Sequence, residues 1–473
     1  MTNTTNPTVA TAKPSFAPDT GVLRTMRKLH LPQKLRNREL ALLLFACVIN
    51  SVAILLVQLG ATGAIDLDLV YLGAGLSALV IGLHVCLRYV APKADPLLLP
   101  IATVLNGLGI AMIYRIDLAK SLSGWAAAST RQITWSAVAI IAAIVVILVI
   151  RNYRVLFRYT YVFGALAFVL LLLPMVPGLG REVSGARVWI SLGGFGSFQP
   201  GEIAKIALAV FFAGYLVRTR DSLSMVGKKF LGVRFPRLRD LGPILVVWAL
   251  SMLIIVFQHD MGTALLFFGL FTVMLYIATG RLSWILIGFG LFGTGAFLAA
   301  QTLTYVHGRF QNWLDAFSPQ VYDATGGSYQ LVQGIFGLAQ GGLIGTGLGQ
   351  GRPQLTPLSQ SDYIIASLGE ELGLAGLFAI LGLYLLFVSR GLRIGFAGQD
   401  DFGKLLAIGL AFTVALQVFI MVGGVTRVIP LTGLTTPFLA AGGSSLVANW
   451  IIVALLLRVS DSVKTGPASE VQA

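Results

Sequence analysis

Apolar runs of 17–26 residues recur along the chain, each bounded by Arg, Lys or Pro. A run of that length, wound as a helix, crosses a hydrocarbon layer about 30 Å thick. Lipid offers the backbone no hydrogen-bond partner, so the crossing segments must be helical. The pattern predicts an all-α polytopic membrane helix bundle with about twelve helices, at 39–59, 69–90, 97–114, 132–151, 157–177, 201–217, 242–257, 262–280, 283–301, 363–388, 405–423 and 433–458. The long polar stretches are 1–38, 218–240 and 302–362, and none has the size or alternation of an extramembrane globular domain. Residues 1–38, rich in Thr, Asn and Pro and then basic, are expected to form a disordered tail. Residues 39–94 hold the first two helices, 95–458 the main bundle with the long loop 302–362, and 459–473 a C-terminal tail.

Composition agrees with the pattern. Hydrophobic residues make up 56% and charged residues 11%, where a soluble domain carries about a quarter charged. A formal net charge of +14 would suggest nucleic acid in a soluble protein. Here most Lys and Arg fall on alternate connections: the 218–240 stretch carries Arg218, Arg220, Lys228, Lys229, Arg234, Arg237 and Arg239, while 302–362 carries only Arg309 and Arg352. That asymmetry follows the positive-inside rule and predicts both termini in the cytoplasm and the 302–362 loop outside the cell. Cys47 and Cys86 lie in apolar runs without metal-ligand spacing and read as packing residues. The first apolar run begins after some 38 polar residues, too late for a cleavable signal peptide.

Polar residues kept at membrane helix ends are candidates for function, because burying them is costly. Four clusters qualify. Arg187 lies in Ala186-Arg187-Val188-Trp189-Ile190-Ser191-Leu192-Gly193, ahead of Phe198-Gln199-Pro200-Gly201-Glu202, and Glu202 and Lys205 at i and i+3 can pair on one helix face. Asp260, in Gln258-His259-Asp260-Met261-Gly262-Thr263-Ala264, has either a chemical role or that of a helix cap. The 302–362 loop holds Arg309, Asp315, Asp323 and Arg352, with ten glycines between Gly326 and Gly351. It is too long for a connector and is expected to fold onto the bundle, allowing close backbone approach to a ligand. Asp315 and Asp323 are the only acids between Asp260 and Asp362. In the fourth cluster, Ser361-Asp362-Tyr363 precedes Gly369-Glu370-Glu371-Leu372-Gly373; Glu370 and Glu371 cannot both face lipid cheaply, so one or both should face a polar cavity or a cation.

These clusters, in this order, resemble the SEDS proteins, the RodA/FtsW/SpoVE family, from near Asp95 to about Arg458. Departures are His259 where the family usually has proline, Asp323-Ala324 where it has Asp-Pro, and Ala441 where it has Tyr. The extra helices at 39–59 and 69–90 look like those of actinobacterial RodA-type elongation proteins. The resemblance implies a peptidoglycan glycosyltransferase of the plasma membrane, polymerising lipid II into glycan strands for cell elongation and shape. It implies inverting attack by an acceptor hydroxyl with pyrophosphate leaving, Asp323 as the catalytic base, and Arg187, Arg309 and Arg352 as cations for the leaving group. A divalent cation, Mg²⁺ or Mn²⁺, with Asp323 as a possible ligand, and a class B penicillin-binding protein as partner are further expectations. Competing readings are a division-specific FtsW-like polymerase, a lipid II flippase or transporter using Glu202, Lys205, Glu370 and Glu371 as a polar path, and a scaffold for wall-synthesis partners.

Overall fold

The computed structural model describes residues 20–465 except 184, 192, 194–196, 224–228, 231–232, 235 and 237. Among the described residues ten helices are long and apolar enough to cross a membrane, and two shorter apolar helices, at 160–175 and 242–258, bring the apolar helices to the expected twelve. In chain order, the first four are α1 (Thr20–Thr62), α2 (Leu67–Val90), α3 (Leu98–Ala119) and α4 (Ala128–Val149). A single turn, α5 (Val155–Arg158), leads into α6 (Thr160–Leu172). A small antiparallel sheet follows, from β1 (Gly180–Val183), β2 (Ala186–Ser191) and β3 (Ser197–Phe198), with Arg181 opposite Trp189 and Ile190 opposite Phe198. Pro200 then opens α7 (Pro200–Leu223), a first-turn position where its missing amide costs nothing.

Two short strands, β4 (Lys229–Phe230) and β5 (Val233–Arg234), precede α8 (Gly242–Gln258), α9 (Met261–Thr279) and α10 (Leu282–Thr302). The long loop contains three helices of its own: α11 (Thr304–Leu314), α12 (Pro319–Tyr322) and α13 (Tyr329–Gly341). The chain ends with α14 (Ile364–Ala397), α15 (Asp401–Val425) and α16 (Gly443–Thr465). The core lies where α16 packs on α4, α14 on α15 and α6 on α7. Phe438 sits edge-on to both Trp450 and Phe387 there. Outward faces expose Phe45, Phe289, Phe378 and Leu385, an arrangement that suits hydrocarbon as solvent.

Several boundaries differ from the expectation: α3, α7 and α14 run on to Ala119, Leu223 and Ala397 where 114, 217 and 388 were expected, and α1 and α16 differ too. Helix α1 starts at Thr20, so residues 20–38 are helical where the composition pointed to a disordered tail. The buried Arg36 accounts for this at the bundle: it pairs with Glu39 at 2.6 Å and donates to the Ala94 carbonyl. Residues 1–19 lie outside the described part. Helix α16 starts at Gly443 instead of 433, because Pro430 and Pro437 lack amide donors and Gly433 and Phe438 have φ of 80° and 64°. It also runs on to Thr465, into the stretch expected to be tail.

Helix α14 is interrupted. Gly373 has φ 68°, ψ −174°, which frees backbone groups on both sides of the break. The glycine-rich segment after α13 takes them up: Thr346 and Gly347 amides donate to the Glu370 and Glu371 carbonyls, both at 3.0 Å. Leu374 and Ala375 amides donate back to the Gly342 and Leu343 carbonyls at 2.9 and 3.0 Å. A Cβ on Gly373 would lie 2.2 Å from the Gly345 nitrogen, so the two backbones meet only because both residues are glycine. Helix α1 flanks the same segment, with Leu348 against Ala53, Ile54 and Val57 and the Gln350 amide donating to the Gly60 carbonyl at 3.0 Å.

Candidate active site

At the loop end of the bundle, a cavity of about 620 Å³ opens between α11, α13, the 324–328 turn, residues 358–363 and the C-terminal end of α8. Its polar lining includes His259, Arg309, Asn312, Gln330, Asp362 and Tyr363. Helix α11 is latched over it. Arg309 Nη1 donates to the Leu431 carbonyl at 2.6 Å, and Trp313 Nε1 to the Arg427 carbonyl at 3.0 Å. Arg427, held at φ 61°, returns two bonds of 2.7 Å to the Trp313 and Leu314 carbonyls. The 324–328 turn is fixed by Asn312 Nδ2 on the Gly326 carbonyl at 2.9 Å and Ser328 Oγ on the Ala316 carbonyl at 2.5 Å. His259, in the left-handed region, closes α8 and reaches the Gly185 carbonyl of the β1–β2 turn at 3.0 Å.

Asp362 is the one carboxylate among the described residues lining this cavity. Burial pushes its carboxyl up to about 6, with Arg309 opposing the rise. Asp323, the expected base, caps α12 with an exposed carboxylate at the rim; Thr325 to Ser328 of the same turn line the cavity, but Asp323 does not. Asp315 ends α11 and is also exposed. Arg309 is thus brought into the cavity, while Asp315 and Asp323 remain around its edge.

The other candidates fall elsewhere. Glu202 and Lys205 pair at 2.6 Å inside the bundle, both almost fully buried. Lys205 Nζ also donates to Gln417 Oε1 at 3.0 Å and Asn449 Oδ1 at 3.3 Å, and Thr435 Oγ1 donates to Glu202 at 3.3 Å. Asp260 caps α9, accepting from the Thr263 amide at 2.9 Å and the Thr263 hydroxyl at 2.5 Å, which is the helix-cap reading. Arg187 pairs with Glu182 at 3.0 Å on the exposed β1–β2 hairpin. Glu371 receives Arg115 Nε at 3.0 Å and the Gly349 amide at 2.9 Å, while Glu370 receives the Arg352 amide at 2.5 Å. Both glutamates therefore bind the glycine-rich segment, and the Arg352 side chain is exposed.

Sequence reasoning missed Arg115, just past the expected end of the third helix, and Gln417 and Asn449, which lie within the runs expected at 405–423 and 433–458. It quoted Asp362 and Tyr363 without giving them a role. For a divalent cation, no three His, Cys, Asp or Glu side chains converge among the described residues. The carboxylates in and around the cavity are Asp362 in its lining and Asp315 and Asp323 at exposed positions.

A family model described as "Cell cycle protein", FTSW_RODA_SPOVE, matches residues 96–465. The chain belongs to this family. The family region thus takes in α3 to α16 and leaves α1 and α2 outside it. Among curated relatives, the peptidoglycan glycosyltransferase RodA of Mycobacterium tuberculosis is 45% identical over 432 residues, 91% of each chain. An alignment covering 91% of the chain reaches back beyond the family region and takes in at least the second half of α1 and all of α2. The rod shape determining protein RodA of Thermus thermophilus has the same fold, with TM-score 0.54 and 24% identity over 78% of this chain and 97% of that one. A chain from a structure titled "Structural coordination of polymerization and crosslinking by a peptidoglycan synthase complex" aligns with TM-score 0.50 and 26% identity, over 84% of this chain and 98% of that one.

Proposed function

We propose that this chain is a peptidoglycan glycosyltransferase of the RodA type, which polymerises lipid II into glycan strands for cell elongation. The observation that carries the reading is the 45% identity, across nine-tenths of both chains, to a protein of that name. The cavity suits such a substrate: polar groups for sugar and phosphate lie at one end of an apolar bundle that a lipid tail can follow. In the reaction, an acceptor hydroxyl attacks the anomeric carbon of the donor, the bond to pyrophosphate breaks, and its electron pair leaves on a phosphate oxygen. Asp323, free at the rim, accepts the hydroxyl proton as general base, and Arg309 offsets charge on the departing phosphate. Arg187 and Arg352, both exposed, are further cations for the pyrophosphate. Asp323 at the rim would be the protein carboxylate nearest a Mg²⁺ or Mn²⁺ ion held by the substrate's phosphates, with Asp362 further inside the cavity, and such an ion would supply charge neutralisation for the leaving group. The Lys and Arg distribution supports placing the cavity outside the cell and both termini in the cytoplasm. A class B penicillin-binding protein is the expected partner, a proposal supported by the likeness to a chain of a peptidoglycan synthase complex.

The test is turnover of the purified chain with fluorescent lipid II and Mn²⁺. Polymer establishes the enzyme, movement between leaflets without polymer establishes a carrier, and neither leaves a scaffold. Asp323→Asn should lower the rate about 10²–10⁴-fold at unchanged protein level, and Asp315→Asn should retain more activity. Near-normal synthesis by Asp323→Asn would move the base elsewhere.

A further inference from the structure

The proposed reaction leaves two cavity groups without a task. Tyr363 is fully buried, and its hydroxyl has no hydrogen-bond partner. Its ring is wedged: a Cβ on Gly334 of α13 would lie 2.5 Å from Tyr363 Cδ1, and Ala366 and Val425 pack around it. The hydroxyl therefore cannot swing out to water, and a buried unpartnered donor is costly unless something fills its place. Beside it stands Asp362, facing the same cavity as Arg309 but without a close ion pair to it.

We propose that Asp362 and Tyr363 form a saccharide-binding pair that holds a neutral sugar ring of the substrate, while Arg309 takes the phosphate. The assignment rests on the glycosyltransferase reading and adds the sugar subsite to it. A carboxylate accepts from sugar hydroxyls or an acetamido N–H, and a phenol both donates and accepts, so the pair complements a ring bearing such groups. The same carboxylate repels phosphate, which orients a phosphate-linked sugar with its charged end toward Arg309. Trp313 and Leu331 supply apolar surface for the C–H face of the ring. Asp323, exposed at the rim, keeps the proton transfer, so the two carboxylates divide binding and chemistry between them.

The division is read by separating KM from kcat in glycan synthesis by the full chain, with direct binding of lipid II measured in parallel. Asp362→Asn should raise KM and weaken binding on the order of 10–100-fold, with kcat changed far less. Tyr363→Phe should raise KM several-fold, and Asp362→Glu should recover part of the loss, which separates a binding defect from misfolding. Asp323→Asn should do the reverse, lowering kcat at near-normal KM. Wild-type KM should rise as pH falls through about 6, and Asp362→Asn should lose that limb. Arg309, His259, Tyr305 and Tyr363 are the other titratable or charged groups lining the cavity, so His259→Gln serves as the control and should keep the limb. If wild type polymerises and Asp362→Asn has unchanged KM and binding, the pair is overturned and the enzyme reading stands. If wild type binds lipid II without polymerising and Asp362→Asn still weakens binding, the enzyme reading fails and the pair stands.

Discussion

Asp362 and Lys205 show what position does to a charged residue. The Asp362 carboxyl is raised from 3.8 to about 6 by burial, so between those values the folded chain holds a proton that the unfolded chain has lost. Stability contributed by this site is therefore greatest at low pH and falls as pH rises through that window. Asp362→Asn should melt at a higher temperature than wild type near pH 7.5 in detergent, and the difference should vanish by about pH 4. A mutant less stable at pH 7.5 would contradict the assignment. Lys205 carries the opposite lesson. Lys205→Met leaves Glu202 buried without its partner, a change that typically costs about 3–5 kcal/mol. The double variant Glu202→Gln, Lys205→Met should regain most of the loss in monodisperse yield. The pair was legible in the sequence because i and i+3 share a helix face. Its further partners Gln417 and Asn449 were not, since they lie more than 200 residues away on other helices and only packing brings them together. Asp323 and Asp362 likewise look alike in sequence, and only the fold shows which of them lines the cavity.

At the scale of elements, the membrane helices were the most legible part, because lipid enforces long apolar runs. The 302–362 loop was legible only as too long to be a connector. Its helices α11 and α13 are short, α13 is rich in Gly and Gln, and α11 is held by latches such as Arg309 to Leu431 that local propensity does not encode. The start of α16 was misplaced by ten residues because 433–442 is apolar enough to resemble a helix, yet it must pass through Pro437 and a left-handed Phe438. The break in α14 was invisible, since Gly373 sits in an ordinary-looking helical run. Gly373→Ala should sharply reduce folded protein, because a Cβ there meets the Gly345 nitrogen and the backbone lies at positive φ. Gly382→Ala in the same helix, with open space around it, should be tolerated. The check is fluorescence-detected size exclusion of both variants from the same membranes.

At the scale of the molecule, α1 and α2 are bound into the bundle at both ends. At one end Glu39 joins Arg36 of α1 to His84 of α2, Arg36 donates to the Ala94 carbonyl, and Arg458 of α16 donates at 2.9 Å to the Val90 carbonyl that ends α2. At the other, Gln350 and Leu348 rest on α1. Orientation is open to a direct test in a chain carrying Cys47→Ala and Cys86→Ala. Gln320→Cys, exposed at the start of α12, should react with an impermeant maleimide on intact cells, and Asn152→Cys, exposed between α4 and α5, should not. The reverse pattern would invert the bundle and remove the cavity from the outer face.

The break at Gly373 also bears on how the chain is made. Residues 341–347 leave the ribosome before α14 does. When α14 enters the bilayer, the partners for its freed carbonyls and amides have already been synthesised, at the end where the break needs them. A broken helix that depended on a later segment would have to wait in hydrocarbon with those groups bare. Here the order of synthesis spares it that wait.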